Sequence, residues 1–61
     1  MTVRIQKRDA TKIKTFTEVS SLCEILVLEN DGEIRSRIYL TTPQGEMFFY
    51  LDEYILWEVL G

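Results

Sequence analysis

The 61-residue sequence predicts an all-β fold, a five-stranded antiparallel meander that curls into a small barrel-like sheet. Two observations predict it. Short runs rich in apolar and β-branched residues follow one another along the whole chain. Turn triplets that end in glycine separate these runs at residues 30–32 and 43–45. We expect residues 1–61 to form a single small domain.

The strongest local signal is a hairpin over residues 22–40, closed by the loop 30–32. A three-residue loop with Gly32 at a positive φ collects apolar side chains on one face, which is expected to face the core. A two-residue turn would instead mix leucines with arginines on both faces. The expected pairs are Leu28 with Ile34, Leu26 with Ser36, Glu24 with Ile38 and Leu22 with Leu40.

The N-terminal part predicts one clear strand and one weak strand. Residues 2–8 alternate Val3 and Ile5 with polar neighbours, which is typical of a half-exposed strand. Residues 12–17 alternate less clearly, so their facing is poorly defined. Residues 18–21 are expected to connect them to the hairpin.

The C-terminal part leaves one choice open. Residues 47–51 follow a turn containing Pro43 and are apolar on both faces, as in a central strand or one covered by a partner. Aromatic and β-branched content favours a further strand between Asp52 and Leu60. The alternative is a helix over residues 52–60, capped by Asp52, which would make the fold α+β.

Length and composition predict self-association. A chain this short buries only about 60% of the surface that it exposes when unfolded. Yet 46% of its residues are hydrophobic, and its one cysteine leaves it no internal disulfide. We therefore expect a homodimer or a higher oligomer.

The cysteine and the N-terminus favour the cytoplasm. Cys23 lies in an apolar strand, so we expect it to be buried and structural. A lone cysteine suits a reducing compartment. The N-terminus lacks the apolar region of a secretory signal, and no apolar run approaches the ~18 residues that cross a membrane.

The residue types weigh against an enzyme. The chain has no histidine, the commonest general base and zinc ligand. A calcium loop aligned on Gly32 would put Val27 and Ile38 where carboxylates are needed. Asp52 and Glu53 are adjacent, so on a strand they point to opposite sides and are interpreted as solvated turn acids. We expect no catalytic residue, no cofactor and no metal.

Two surfaces are candidates for binding. The first is an aromatic patch with an acidic rim, which would serve as a protein interface. Its candidate residues are Phe48, Tyr50, Tyr54, Trp57, Asp52 and Glu53. Tyr50 and Tyr54 are expected to be the exposed anchors, whereas Phe48, Phe49 and Trp57 are more simply interpreted as core.

The second candidate surface is a basic strip. Residues 1–14 carry five basic residues and one acid, although the whole chain has a net charge of −3. Cations beside an exposed aromatic residue can hold phosphates and stack a base. The residues concerned are Arg4, Lys7, Arg8, Lys12, Lys14, Arg35, Arg37 and Tyr39.

These observations favour a non-catalytic protein–protein interaction module, a small cytoplasmic regulator or inhibitor that associates with itself and with another protein. It would act by occlusion, and its acidic rim would steer it toward a basic target. The alternative is a small nucleic-acid-binding β protein that uses the basic strip. No membrane partner is expected.

Overall fold

The computed structural model describes all 61 residues and contains six β-strands and no helix. Sheet 1 has the order β2-β1-β6 and sheet 2 the order β3-β4-β5, and all ladders are antiparallel. The strands are β1 (Thr2–Lys7), β2 (Ile13–Phe16), β3 (Ser21–Leu28), β4 (Ile34–Thr42), β5 (Gly45–Tyr50) and β6 (Tyr54–Leu60). The predicted all-β class is confirmed, and Tyr54–Leu60 forms a strand where the alternative was a helix over residues 52–60. The structure offers no helix that is long and apolar enough to cross a membrane.

The predicted five-stranded meander in one sheet is wrong in strand number and in pairing. The weak segment 12–17 does contain a strand, because the backbone of residues 13–16 pairs with β1. The last strand, β6, returns to the other edge of β1, so the first strand is central. No ladder joins β2 to β3 or β5 to β6, and residues 17–20 and 51–53 carry the chain between the sheets.

The core lies between the two sheets. Val3 and Ile5 of β1 are fully buried, and so is Leu40 of β4. The ring of Phe49 in sheet 2 lies 5.7 Å from that of Phe16 and 4.9 Å from that of Tyr54, both contributed from sheet 1. The alternation predicted for β1 therefore buries Val3 and Ile5 on one of its faces.

The register predicted for the β3–β4 hairpin is confirmed residue by residue, from Leu22 opposite Leu40 to Leu28 opposite Ile34. Gly32 has a φ of +86°, which glycine adopts without strain. Its N–H donates to the carbonyl of Glu29 at 3.0 Å, which closes the loop. The hydrophobic pattern and the turn chemistry select the same register, which explains why a single sequence was enough.

A bulge in β6 turns Trp57 to the outer face of sheet 1. The β1–β6 register shifts between Arg4 and Ile5, so Trp57 is the extra residue opposite them. Its indole N–H donates to Gln6 Oε1 at 2.6 Å, and the side chain is 55% exposed. Trp57 is therefore a surface residue of this fold.

Candidate interaction surface

The β3–β4 hairpin is longer than the sheet that covers it. Its strands have eight and nine residues, whereas β1 has six and β2 has four. Two hydrogen bonds show where sheet 1 ends relative to the hairpin. Arg8 N donates to Glu53 O at the end of sheet 1, and Leu51 N, two residues before Glu53, donates to Ser36 O in β4. Residues 26–36 of the hairpin, which we call the overhang, lie at or beyond this level.

The inner face of the overhang is aliphatic and uncovered. Leu26, Leu28 and Ile34 are 72%, 71% and 68% exposed, more than any other large hydrophobic residue of the chain. Leu28 lies opposite Ile34, and Leu26 is two residues away on the same face. We call these three side chains the platform. The expectation that this whole face lies in the core is wrong here, because sheet 1 ends before it reaches them.

The outer face of the overhang is braced by Arg35. Its guanidinium donates to both carboxylate oxygens of Asp52, at 2.9 and 2.8 Å, and to Glu53 Oε2 at 2.6 Å. It also stacks 3.5 Å from the centre of the Tyr50 ring. These hydrogen bonds raise the pKa of Arg35 and hold the pKa of Asp52 below its ordinary value. The overhang is thus fixed to the corner that joins the sheets.

Both acids bind the same cation because they lie in the turn between β5 and β6 and not on a strand. The expectation that Asp52 and Glu53 point to opposite sides is therefore wrong. They remain turn acids, but their charge is opposed by Arg35 and is only in part available to a partner.

A second brace is built around Arg37. Its guanidinium donates to the hydroxyls of Tyr39 and Tyr50, at 3.1 and 2.9 Å, and to Glu29 Oε1 at 3.3 Å. It also lies 4.7 Å from the centre of the Phe48 ring. Hydrogen bonding to Tyr39 is the main cause that raises the pKa of Arg37. Because Glu29 directly follows β3 in the overhang, this cluster holds the overhang rigid from its outer side.

The two ends of the platform differ in charge. In the hairpin loop Asp31 and Glu33 have no cation within 4.0 Å. At the other end lies the β1–β2 loop, where Arg8 and Lys12 likewise have no ion-pair partner. Arg8 is held there by a hydrogen bond from its guanidinium to Leu51 O at 3.0 Å. The platform therefore lies between the acidic hairpin loop and the β1–β2 loop, and Glu24, two residues from Leu26 on the same face, adds an unpaired acid at the second end.

The aromatic residues predicted for the interface do not share one surface. Phe48 and Tyr50 lie on the outer face of sheet 2, and Trp57 lies on the outer face of sheet 1. Tyr54 packs edge-on against Phe49 inside the molecule. Tyr50 and Tyr54 are half-buried, so the exposed aromatics are Phe48 and Trp57, and only Phe49 fits the core interpretation.

The basic strip is divided among several surfaces. Arg4 lies on the outer face of sheet 1, where it forms an ion pair with Glu58 at 3.0 Å. Arg35, Arg37 and Tyr39 do share a surface, on the outer face of sheet 2, but both arginines are paired with acids there. Lys7 is the last residue of β1, Lys14 lies in the edge strand β2, and Lys12 precedes β2 in the β1–β2 loop.

Cys23 is exposed, contrary to the expectation that it is buried. It pairs with Tyr39 on the outer face of the edge strand β3, one position away from the inward-facing Leu22. An apolar segment at a sheet edge thus need not bury both of its faces. Glu24 is exposed at the same edge.

Sequence reasoning missed the platform, although its residues belong to the predicted hairpin. A usable signal was the difference in length between the hairpin strands and residues 2–8.

No cluster of three His, Cys, Asp or Glu side chains that could hold a metal ion is present. Comparison with protein-family models, with curated proteins and with solved structures gives no match for this chain.

Proposed function

We propose that the protein is a non-catalytic protein–protein interaction module, a small self-associating regulator or inhibitor. The platform is the observation that carries this proposal. Single exposed hydrophobic residues are ordinary, but three adjacent large ones that are 68–72% exposed form a binding surface. Complete burial of such a side chain is worth about 1.5–3 kcal/mol, so a partner that covers all three gains substantially.

The amount of exposed apolar surface supports the same proposal. Twelve large hydrophobic residues are exposed, whereas five hydrophobic residues are buried. The core formed between two three-stranded sheets is therefore small for the hydrophobic content of the chain. A partner surface would complete the burial that the single chain leaves unfinished.

The braces on the outer face make the platform suitable for binding. Arg35 and Arg37 tie the overhang to acids and aromatic rings before any partner arrives. A surface that is already ordered loses little conformational entropy when it binds. The mechanism we propose is occlusion, in which the platform on the rigid overhang covers an apolar surface of the target protein. The exposed thiol of Cys23 supports a reducing compartment such as the cytoplasm.

Affinity capture from the native cell tests the proposal. Wild-type protein, Leu28→Asp and Ile13→Asp serve as baits, after circular dichroism has shown that all three are folded. Ile13 is the matched control, since it is an exposed aliphatic strand residue away from the platform. We expect Leu28→Asp to lose the captured proteins and Ile13→Asp to keep them. Equal capture by all three baits would contradict a role for the platform.

Nucleic-acid binding is the weaker proposal. Arg4, Arg35 and Arg37 are each paired with an acid, which reduces the charge available to phosphates. Binding driven by the remaining cations would fall steeply with salt. We expect no electrophoretic shift of single-stranded DNA or RNA at about 50 mM salt, and a clear shift would favour this alternative.

A further inference from the structure

We infer that the open edge of β3 accepts an extended segment of a partner protein as a fourth strand of sheet 2, with a basic residue of that segment opposite Glu24. The inference rests on the proposed function and deepens it by naming the chemistry of the partner. β3 is an edge strand of sheet 2, so one side of its backbone has no neighbouring strand. An edge of this kind is a template for a further strand.

The backbone of β3 presents hydrogen-bonding groups to such a strand. At the loop end of the hairpin, Glu29 N donates to Glu33 O at 2.8 Å. Hydrogen-bonded and non-hydrogen-bonded pairs alternate along an antiparallel ladder, so the N–H and C=O groups of Glu24, Leu26 and Leu28 point away from β4. These three residues therefore offer free backbone donors and acceptors at the spacing that an added strand requires.

The other three edge strands carry features that hinder pairing. β2 has only four residues, one of which is Lys14. β6 contains the bulge at Trp57, and β5 has six residues and begins with a glycine followed by Glu46. β3 has eight residues, contains no lysine or proline, and keeps an unbroken register along its whole length. β3 is therefore the edge best suited to accept a strand.

The side chains of β3 require an apolar segment. Leu26 and Leu28 are 72% and 71% exposed on the inner face, and Ile25 is 40% exposed on the outer face. Side chains opposite each other on neighbouring strands lie about 5 Å apart, so residues of the added strand cover the open sides of these three. The matching segment is apolar on both faces, and it covers the part of the platform that β3 contributes.

Glu24 requires a basic residue at one position of that segment. It is the one charged residue of β3, it is exposed, and it has no cation within 4.0 Å. A lysine or arginine opposite Glu24 forms a cross-strand ion pair, whereas an aliphatic residue leaves the carboxylate without a partner. Asp31 and Glu33 in the hairpin loop also lack ion pairs and add to the attraction for a basic segment.

The same carboxylate disfavours a second copy of the chain at this edge. When two copies of one strand pair about a two-fold axis, residues that share a face lie opposite one another. Glu24 of one copy would therefore face Glu24 or a leucine of the other. β3 has no lysine or arginine, so no register of this pairing neutralises Glu24. Glu24 thus selects a foreign basic segment over the chain's own strand.

NMR titration with a synthetic peptide tests the inference. The probe is the acetylated and amidated heptapeptide Thr-Val-Thr-Ile-Val-Lys-Thr, whose lysine lies opposite Glu24 when its isoleucine lies antiparallel and opposite Leu26. We expect a Kd of about 0.1 mM and slower hydrogen exchange of the amides of Glu24, Leu26 and Leu28 in the complex. The absence of chemical-shift changes in β3 at about 2 mM peptide would overturn the inference, as would changes confined to another edge strand.

Methylation of the peptide nitrogens tests whether the segment binds as a strand. In the proposed pairing the N–H of the isoleucine faces β3, whereas the N–H of the second valine faces solvent. An N-methyl group on the isoleucine should weaken binding about tenfold, because it removes a hydrogen bond and obstructs the edge. The same group on the second valine should change the Kd less than about twofold. Equal effects of the two methyl groups would overturn the addition of a strand.

Charge exchange tests the basic residue. Glu24→Lys should weaken binding of the peptide about fivefold, and a peptide with glutamate in place of lysine should restore it. Glu46→Lys is the matched control, because Glu46 is an exposed acid without an ion pair on the edge strand β5. Unchanged binding of the lysine peptide by Glu24→Lys would overturn the pairing of a basic residue with Glu24.

The capture experiment separates this inference from the proposed function. A wild-type protein that does not bind the peptide, but whose captured proteins are lost in Leu28→Asp, would refute the added strand while the interaction module stands. A wild-type protein that neither binds the peptide nor captures proteins through the platform would refute both.

Discussion

The two ends of the β3–β4 hairpin have the same pattern and opposite environments. Leu40 is fully buried near the end away from the loop, which sheet 1 covers and which we call the closed end. Leu28, near the loop, is 71% exposed. Both residues lie on the same face of one continuous ladder. The comparison teaches that alternation decides which face a side chain occupies, while the length of the opposing sheet decides whether that face becomes core or surface.

The two ends of the hairpin are also stabilised by different interactions. At the closed end, the buried hydroxyl of Thr42 donates to the carbonyl of Gly45 at 3.2 Å and accepts from Gln44 N at 3.2 Å. At the overhang, support comes from the outer face, where Arg35 binds Asp52 and Glu53. One end is held by burial, and the other is held by ion pairs and stacking that leave its inner face free to bind.

The largest expected effect separates Leu40→Ala from Leu28→Ala. Truncation of a fully buried leucine costs about 2–5 kcal/mol, which is comparable to the whole stability of a domain this small. An exposed leucine changes the free energy of unfolding by about 0.5 kcal/mol or less. Urea unfolding followed by circular dichroism at low protein concentration measures both. Equal destabilisation by the two variants would contradict the described difference in burial.

Two glycine variants compare the loops at the two ends. Gly32 has a φ of +86° and Gly45 a φ of +124°, where an alanine side chain is strained although space is available. We expect Gly32→Ala and Gly45→Ala each to lower the free energy of unfolding by about 1 kcal/mol. The same urea experiment measures them. A neutral Gly32→Ala would mean that the overhang loop does not hold the described conformation.

The brace at Asp52 predicts a pH dependence. Hydrogen bonds from Arg35 hold the pKa of Asp52 in the folded protein below its ordinary value of 3.8. The folded state therefore favours the ionised carboxylate, and the resulting stability is present above this value and is lost as pH falls through the lowered pKa. Asp52→Asn removes this contribution at neutral pH.

We expect the wild type to unfold at a higher urea concentration than Asp52→Asn at about pH 7, and the difference to shrink as the pH falls below 3.8 through the lowered pKa. Glu46→Gln is the control, because Glu46 lies at the closed end and forms no ion pair. A difference between wild type and Asp52→Asn that persists undiminished at low pH would show that the ion pair with Arg35 is not its source.

The smallest effect concerns Cys23, at the edge of the hairpin between its two ends. Since its thiol is exposed on the outer face, we expect it to react with a colorimetric disulfide reagent in the native protein without loss of structure. Its reaction rate should be the same in wild type and Leu28→Asp, because the platform lies on the inner face of the hairpin. A thiol that reacts only after unfolding would mean that the outer face of β3 is covered.

Local patterns were enough for the all-β class, the strand at residues 54–60 and the whole register of the β3–β4 hairpin. Each depends on neighbouring residues, on the turn at Gly32 and on a side-chain period of two, all of which are visible in the sequence. The pairing of β6 with β1 was not visible, because it joins residues 47 to 58 positions apart in the sequence. Cys23 is exposed because no element covers the outer face of the edge strand β3. Asp52 and Glu53 share Arg35 because the turn between the sheets brings both carboxylates to β4.

The sequence by itself determined which side chains of the hairpin share a face and how its two strands align, since both follow from backbone geometry within one continuous segment. Only the tertiary structure decided where that face stops being core. The strands of sheet 1 are shorter than the hairpin, so the same aliphatic pattern is buried at Leu40 and open at Leu28. Burial depends on what lies opposite in space, and a pattern along one strand carries no information about the length of the strand that will cover it.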